Sequence, residues 1–178
     1  MTPLCLLAEK HGTNKHDVGY TPIYYDLLKD RPIQRVLELG IGGPGLSHGA
    51  SRKGASLYMW RDFFPGAYIY GLDNNLGLLF EAPFIQTGLA DVTDPTSLTL
   101  AADATGGRFD LIVDDAVHKP DVQLAAARSL LPYLTPTGVY VIEDVIDGMD
   151  NIIRALPRGY HVEIPTCPTD WKLLIIRK

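Results

Sequence analysis

Glycines and acidic side chains come together in this chain at the points where apolar runs end. The apolar run 36–39 contains Glu38 and leads directly into the glycine-rich segment 40–43, and four further acids follow later apolar runs: Asp73, Asp115, Glu143 and Asp144. Because glycine has no Cβ, Gly40 and Gly42 allow a sharp turn and close approach of the backbone to a ligand. Glu38 suits a ligand that carries positive charge. The spacing therefore predicts a ligand site at the carboxyl ends of buried strands.

Strand-like apolar runs alternate with helix-like segments, and this alternation predicts a parallel α/β sheet. Strands are predicted at 34–39, 67–72, 84–87, 109–113, 139–142, 160–164 and 171–176. Helices are predicted at 23–29, 57–64, 95–102, 121–131 and 149–156. In open α/β sheets the ligand lies outside the carboxyl ends of the strands, so the acids that follow the strands would share one rim. The last two strands are close enough in sequence to pair as a hairpin.

Composition limits the classes of function. With 178 residues, of which 46% are hydrophobic, the chain has the size and apolar content of one compact domain. The formal net charge of −5, without a block of basic residues, argues against a nucleic-acid partner or an anionic membrane surface. No apolar stretch approaches the roughly 20 residues that cross a bilayer, so a cytoplasmic location is expected. Cys5 and Cys167 lack metal-site spacing and are expected to be reduced thiols.

One interpretation of the glycines is a dinucleotide site, because 40–45 matches the pattern G-x-G-x-x-G. In that site a helix begins at once and an acid follows about 20 residues later. Here a polar loop follows instead, and the next acid at a strand end is Asp73. The prediction of an NAD-dependent oxidoreductase therefore rests on the glycine pattern alone.

A second interpretation starts from Glu-x-Gly-x-Gly at the first strand and an acid at the end of the second. This pair of motifs resembles class I S-adenosylmethionine-dependent methyltransferases. The resemblance implies that Gly40 and Gly42 approach the cofactor, that Asp73 binds its ribose, and that Glu38 orients the loop or the ammonium group of the ligand. A simple strand-to-turn junction is the structural alternative.

More of the chain, roughly residues 10 to 145, resembles a narrower family. Seven segments follow in order: 12–15 with 19–20, 38–43, 54–60, 70–73, 91–95, 113–118 and 138–144. Together they are similar to the catalytic domain of the metal-dependent macrolide-sugar O-methyltransferases of the mycinamicin and demethylmacrocin type. The resemblance adds Ser56 to the cofactor pocket. It also adds Asp91, near the adenine amino group, although Asp91 is equally suited to form a turn before Pro95.

The same resemblance implies metal-assisted chemistry. Asp115, Glu143 and Asp144 would be oxygen ligands of Mg²⁺, and His118 would be the base that takes the proton from a sugar hydroxyl. Asp114 is grouped with the cofactor-binding residues as a support behind the site. Without a cation, three clustered carboxylates would repel one another.

These observations predict a Rossmann-like, doubly wound α/β domain with a seven-stranded, mostly parallel sheet and an antiparallel C-terminal hairpin. Residues 1–32 would form a helical lid segment, and residues 33–178 the core. The predicted function is Mg²⁺-assisted methyl transfer from S-adenosylmethionine to a hydroxyl of a small molecule, such as a sugar. A cofactor-binding but catalytically silent domain, or one with different chemistry, is the alternative. A neighbouring subunit could cover the open rim in a homo-oligomer.

Overall fold

The apolar runs of the sequence form the strands of one sheet in the computed structural model, which describes residues 1–42 and 53–178. The strands of this part of the chain are β1 (Arg35–Leu39), β2 (Tyr68–Asp73), β3 (Glu81–Ala82), β4 (Ile85–Leu89), β5 (Phe109–Asp114), β6 (Leu134–Ile142), β7 (His161–Glu163) and β8 (Leu174–Arg177). Its α-helices are α1 (Pro3–His11), α2 (Tyr20–Leu28), α3 (Ala55–Phe63), α4 (Pro95–Ala104), α5 (Pro120–Leu130) and α6 (Met149–Ala155).

The strands lie in the order β3-β4-β2-β1-β5-β6-β8-β7. Five neighbours, β4, β2, β1, β5 and β6, are parallel, so their carboxyl ends meet at one edge. Backbone hydrogen bonds extend the pairing beyond the strands: the Gly40 amide donates to Leu72 and the Asp115 amide donates to Leu39, at 2.8 and 3.0 Å. The segments that follow the central strands are therefore held side by side at this edge.

The predicted α/β class and the antiparallel C-terminal pair are confirmed, and the strand count is the point that differs. The described residues form eight strands instead of seven, and the additional one, β3, pairs antiparallel with β4. A strand of two residues is too short to show an alternating pattern. Helix α1 lies within the segment 1–32 that was predicted to be helical, but its bounds were not predicted: Thr2 caps its first turn and Gly12, at a φ of 70°, ends it.

Helices cover both faces of the sheet. On one face α4, α5 and α6 pack over a cluster that includes Leu39 and Ile112. On the other face α1, α2 and α3 pack over a cluster that includes Val36 and Trp60. Because successive side chains of a strand point to opposite faces, Glu38 is buried on the same face as Val36, beneath α2 and α3.

The N-terminal segment is anchored to α3. Lys10 and His11 both contact the carboxylate of Asp62, at 2.7 and 2.8 Å. The connection between α1 and α2 then lies at the carboxyl edge of the sheet, where Thr13 and Val18 line the cavity described below. The division at residue 32 into a lid segment and a core remains a prediction. Within 1–42 and 53–178, no helix has the length and apolar character needed to cross a membrane.

Candidate active site

A cavity of about 640 Å³ opens at the carboxyl edge of the parallel strands. Its volume is in the range that holds a ligand of cofactor size. Seven of the predicted site residues line it: Gly40, Gly42, Ser56, Asp73, Asp115, His118 and Asp144. The other four do not line its described wall: Glu38, Asp91, Asp114 and Glu143. The third glycine of the G-x-G-x-x-G pattern, Gly45, lies outside the described residues.

One end of the cavity is formed by the turn after β1. Gly40 has a φ of +80°, and a Cβ at this position would lie 2.4 Å from the carbonyl oxygen of Asp115. The backbone can therefore follow this path only with glycine. Asp73, at the end of β2, accepts a hydrogen bond from the Ile41 amide at 3.1 Å and another from the Asn75 amide at 2.9 Å. These contacts fix the turn and keep the carboxylate at the cavity wall.

Of the other residues predicted to bind the cofactor, Ser56 lines the cavity at the start of α3. Glu38, Asp91 and Asp114 do not line its described wall. Asp91 is exposed and accepts hydrogen bonds from the amide and hydroxyl of Thr93, at 2.9 and 2.7 Å, as the turn alternative requires. Glu38 lies behind the turn and accepts a hydrogen bond from the Trp60 indole at 2.8 Å. Roles of Glu38 and Asp91 in cofactor binding remain predictions.

Asp114 is buried on the opposite face of the sheet from Glu38. Its carboxylate accepts a hydrogen bond from the Tyr140 hydroxyl at 3.2 Å. Burial raises the pKa of Asp114 to about 7, although this hydrogen bond opposes the shift. Its contacts fit the predicted support from behind the site better than direct contact with a ligand.

The other end of the cavity brings together Asp115, His118 and Asp144. Atoms of these three side chains that could bind a metal lie within 4.8 Å of one another. His118 Nε2 is 3.6 Å from Asp115 Oδ1 and 3.6 Å from Asp144 Oδ2. Asp144 has a φ of 53°, which is uncommon for a residue other than glycine, and its carboxylate accepts a hydrogen bond from Tyr20 at 2.6 Å. Such backbone strain is typical of functional sites.

The imidazole of His118 is placed to exchange a proton. Nε2 is buried and has no hydrogen-bond partner among the described residues, while the side chain as a whole is 32% exposed. The interaction with Asp115 raises the pKa of His118 above its ordinary value, against the opposing effect of burial, and the charge of Asp144 adds to the rise. A bound cation at the two carboxylates would oppose that rise.

Glu143 is close to this group but is engaged elsewhere. Its carboxylate accepts hydrogen bonds from the Lys15 ammonium at 2.7 Å and from the Tyr24 hydroxyl at 2.5 Å. Burial raises the pKa of Glu143, against the opposing charge of Lys15. Of the three predicted metal ligands, Asp115 and Asp144 therefore face the cavity, and the role of Glu143 as a ligand remains a prediction.

The geometry fits both predicted ligands. The glycine turn, in which a Cβ has no room, and the carboxylate of Asp73 suit a cofactor with a ribose and an amino acid moiety. The carboxylates of Asp115 and Asp144 suit a divalent cation, because hard cations prefer oxygen donors. The arrangement can therefore bind a cofactor at one end and hold a hydroxyl group beside a base at the other.

Several residues of the site were not predicted to be functional. Thr13, Asn14, Asp17 and Val18 line the cavity from the N-terminal segment, and Trp171 lines it from the segment before β8. The segments 12–15 and 19–20 were part of the family resemblance, but nothing in their spacing assigned them a role. Trp171 carried no signal beyond its position in an apolar run.

The chain is similar to known proteins in sequence and in structure. No protein-family model matches the sequence. Over 143 residues, or 78% of the chain, it is 35% identical to 8-demethyl-8-alpha-L-rhamnosyl tetracenomycin-C 2′-O-methyltransferase of Streptomyces olivaceus, of which it covers 36%. It is 37% identical over 128 residues, 71% of the chain, to mycinamicin VI 2″-O-methyltransferase of Micromonospora griseorubida, of which it covers 31%. The chain thus spans about a third of the length of these curated relatives.

Among solved structures, the chain is similar to the MycE methyltransferase of the mycinamycin biosynthetic pathway, in complex with Mg, SAH and mycinamycin VI. The TM-score is 0.82 at 25% sequence identity, and the match covers 99% of the chain and 54% of MycE. The similarity in fold is therefore not confined to the central strands of the sheet.

Proposed function

The chain is a relative of the S-adenosylmethionine-dependent sugar O-methyltransferases of macrolide and polyketide pathways, and on this basis we propose that it methylates a hydroxyl group of a small molecule. The proposed acceptor is a sugar of a glycosylated natural product, and Mg²⁺ is the proposed metal. The observation that carries the proposal is the single cavity in which the glycine turn and Asp73 lie at one end and His118, Asp115 and Asp144 at the other. A cytoplasmic location, with neither nucleic acid nor membrane as a partner, belongs to the same proposal and agrees with the net charge of −5.

Each end of the cavity has its own task. When bound, S-adenosylmethionine supplies an electrophilic methyl group and Mg²⁺ lowers the pKa of a hydroxyl group. Asp73 would accept hydrogen bonds from the ribose, and the turn at Gly40 would admit the amino acid moiety. Asp115 and Asp144 would hold the cation, with Glu143 as the third predicted ligand. His118 would take the proton of the acceptor hydroxyl at Nε2.

The test is a calorimetric titration of metal-stripped protein with S-adenosylmethionine, repeated with Mg²⁺ present. We expect saturable binding at one site, followed by methyl transfer when a panel of glycosides is added. Binding of cofactor and metal without transfer to any hydroxyl would favour the catalytically silent alternative. If S-adenosylmethionine binds neither with nor without Mg²⁺, the proposal is wrong, and NAD would be titrated next.

Trp171 is expected to contact the acceptor. It is 37% exposed at the cavity rim, and its segment is held beside Val18 because Thr169 donates a hydrogen bond to the Val18 carbonyl at 2.9 Å. An aromatic ring can pack on the apolar face of a sugar. Replacing Trp171 by Ala should therefore raise the KM for the glycoside by roughly 3- to 10-fold and leave the Kd of S-adenosylmethionine unchanged.

The two tryptophans of the chain allow this contact to be observed directly. Trp60 is fully buried, so quenching of intrinsic fluorescence by the glycoside should come from Trp171 and disappear in the Trp171→Ala variant. The exposed Tyr68, outside the cavity wall, provides a control when replaced by Ala. An unchanged KM in Trp171→Ala would place the acceptor elsewhere in the cavity.

A further inference from the structure

The ammonium group of Lys15 lies among three carboxylates at the carboxyl edge of the sheet. Lys15 Nζ is 2.7 Å from Asp115 Oδ2, 2.7 Å from Glu143 Oε2 and 3.2 Å from Glu38 Oε1. The side chain is 1% exposed. One buried cation thus contacts an acid of β1, an acid that follows β5 and an acid that follows β6.

Burial would be unfavourable for the ammonium without the carboxylates, and for the carboxylates without the ammonium. A buried ammonium is unfavourable unless it is paired, and three adjacent carboxylates repel one another. Lys15 is not among the residues that line the described wall of the cavity, and the proposed methyl transfer gives it no step. Lys15 can therefore act on the site only through the acids that its ammonium group contacts.

The backbone of Lys15 reaches the same acids by a second route. Its carbonyl oxygen accepts a hydrogen bond from the Tyr20 amide at 2.9 Å, at the start of α2. From α2, Tyr20 donates to Asp144 at 2.6 Å and Tyr24 donates to Glu143 at 2.5 Å. The segment that begins at Lys15 thus contacts each of the three predicted metal ligands.

The acids held by Lys15 are also tied to the cofactor end. The Asp115 carbonyl lies directly against Gly40, where even a Cβ would be only 2.4 Å away. The Asp115 amide donates to the Leu39 carbonyl at 3.0 Å. Glu38, the third acid at the ammonium, precedes Gly40 by two residues. A displacement of Asp115 or Glu38 would therefore move the glycine turn as well as the metal end.

We propose that Lys15 is a positioning residue that couples the two ends of the site, because one buried ammonium aligns the acid behind the glycine turn with the acids at the metal end. The inference rests on the proposed function. It assigns a role to the segment 12–15, which the methyl-transfer chemistry leaves without one.

The test compares the Lys15→Met variant with the original chain in two binding measurements that need no acceptor. Binding of Mn²⁺ is measured by electron paramagnetic resonance, and binding of S-adenosylmethionine by calorimetry. We expect both affinities to fall by roughly 10- to 100-fold, the range observed when partners of metal ligands are removed. In the control, Lys10→Met removes an exposed lysine that pairs with Asp62 and should leave both affinities unchanged.

A double variant separates positioning from charge balance. Lys15→Met with Glu143→Gln removes one positive and one negative charge together, so it should fold even if Lys15→Met does not. Glu143 is itself a predicted metal ligand, so only the affinity for S-adenosylmethionine is compared in the double variant. If Lys15 positions the site, the double variant keeps a melting temperature close to that of the original chain and still binds S-adenosylmethionine weakly. Recovery of this affinity in the double variant would show that Lys15 acts only as a counter-ion and would overturn the inference.

Two further outcomes are decisive. If Lys15→Met folds and loses affinity for only one of the two ligands, Lys15 does not couple the ends of the site and the inference is wrong. If the original chain binds neither Mn²⁺ nor S-adenosylmethionine, the proposed function fails, and the inference fails with it. Binding measurements on the original chain therefore test the proposed function, and those on the variants test the coupling between the two ends of the site.

Discussion

Replacement of His118 by Ala is expected to lower methyl-transfer turnover by roughly 10²- to 10⁴-fold, the usual contribution of a general base. The imidazole nitrogen Nε2 has no hydrogen-bond partner among the described residues and lies 3.6 Å from the carboxylates of both Asp115 and Asp144, the proposed metal ligands. The cofactor end is formed by other residues, among them Gly40 and Asp73. The Kd of S-adenosylmethionine should therefore change little.

The measurement is single-turnover methyl transfer combined with calorimetric titration of the cofactor. His161→Ala is the matched control, because His161 lies exposed on β7 and outside the cavity wall; its turnover should be unchanged. If His118→Ala loses cofactor affinity as strongly as turnover, His118 acts in cofactor binding or in folding and is not the base.

The second large effect is expected for Asp115→Asn, which should abolish both activity and the dependence on Mg²⁺. Asp115 faces the cavity with Asp144, and an amide in its place offers a cation a neutral oxygen. Activity is measured over a range of Mg²⁺ concentrations and in chelator, and Mn²⁺ binding by electron paramagnetic resonance. Full activity of the original chain in chelator would refute the metal-assisted mechanism.

Asp115→Asn also weakens the ion pair with Lys15, so a second variant is needed to separate the two effects. Asp144→Asn leaves the three carboxylates around the Lys15 ammonium intact and should lose Mn²⁺ binding without the same loss of stability. Asp147→Asn, an exposed acid three residues later, is the control and should behave like the original chain. A normal affinity for Mn²⁺ in both Asp115→Asn and Asp144→Asn would exclude this pair as the metal site.

Local sequence patterns were sufficient to predict most of the fold. Strands β1, β2, β5 and β6 follow apolar runs of the sequence, because a parallel strand covered on both faces needs apolar side chains in succession. The C-terminal pair was also predicted, since a short connection joins its strands. Strand β3 was missed because two residues are too few for a pattern, and the bounds of helix α1 were not predicted within the helical segment 1–32.

The prediction of the site was less complete than that of the fold. Gly40, Gly42 and Asp73 line the cavity as expected, because a strand that ends at a known edge delivers the next residues there. Glu143 and Asp144 are adjacent in sequence, and both were predicted to bind metal. Asp144 faces the cavity, whereas Glu143 is turned toward Lys15 and Tyr24.

By itself the sequence determined the class of fold, the edge of the sheet at which the cavity opens and the residue types that could act there, since these follow from periodicity and from the conformational freedom of glycine. The tertiary structure alone decided that Asp144 faces the cavity, that Glu143 faces a buried cation and that Asp115 does both. Lys15 meets Asp115 and Glu143 across 100 and 128 residues of chain. Contacts over such separations depend on the order of the strands and on the path of the N-terminal segment across their ends, and neither is encoded in local spacing.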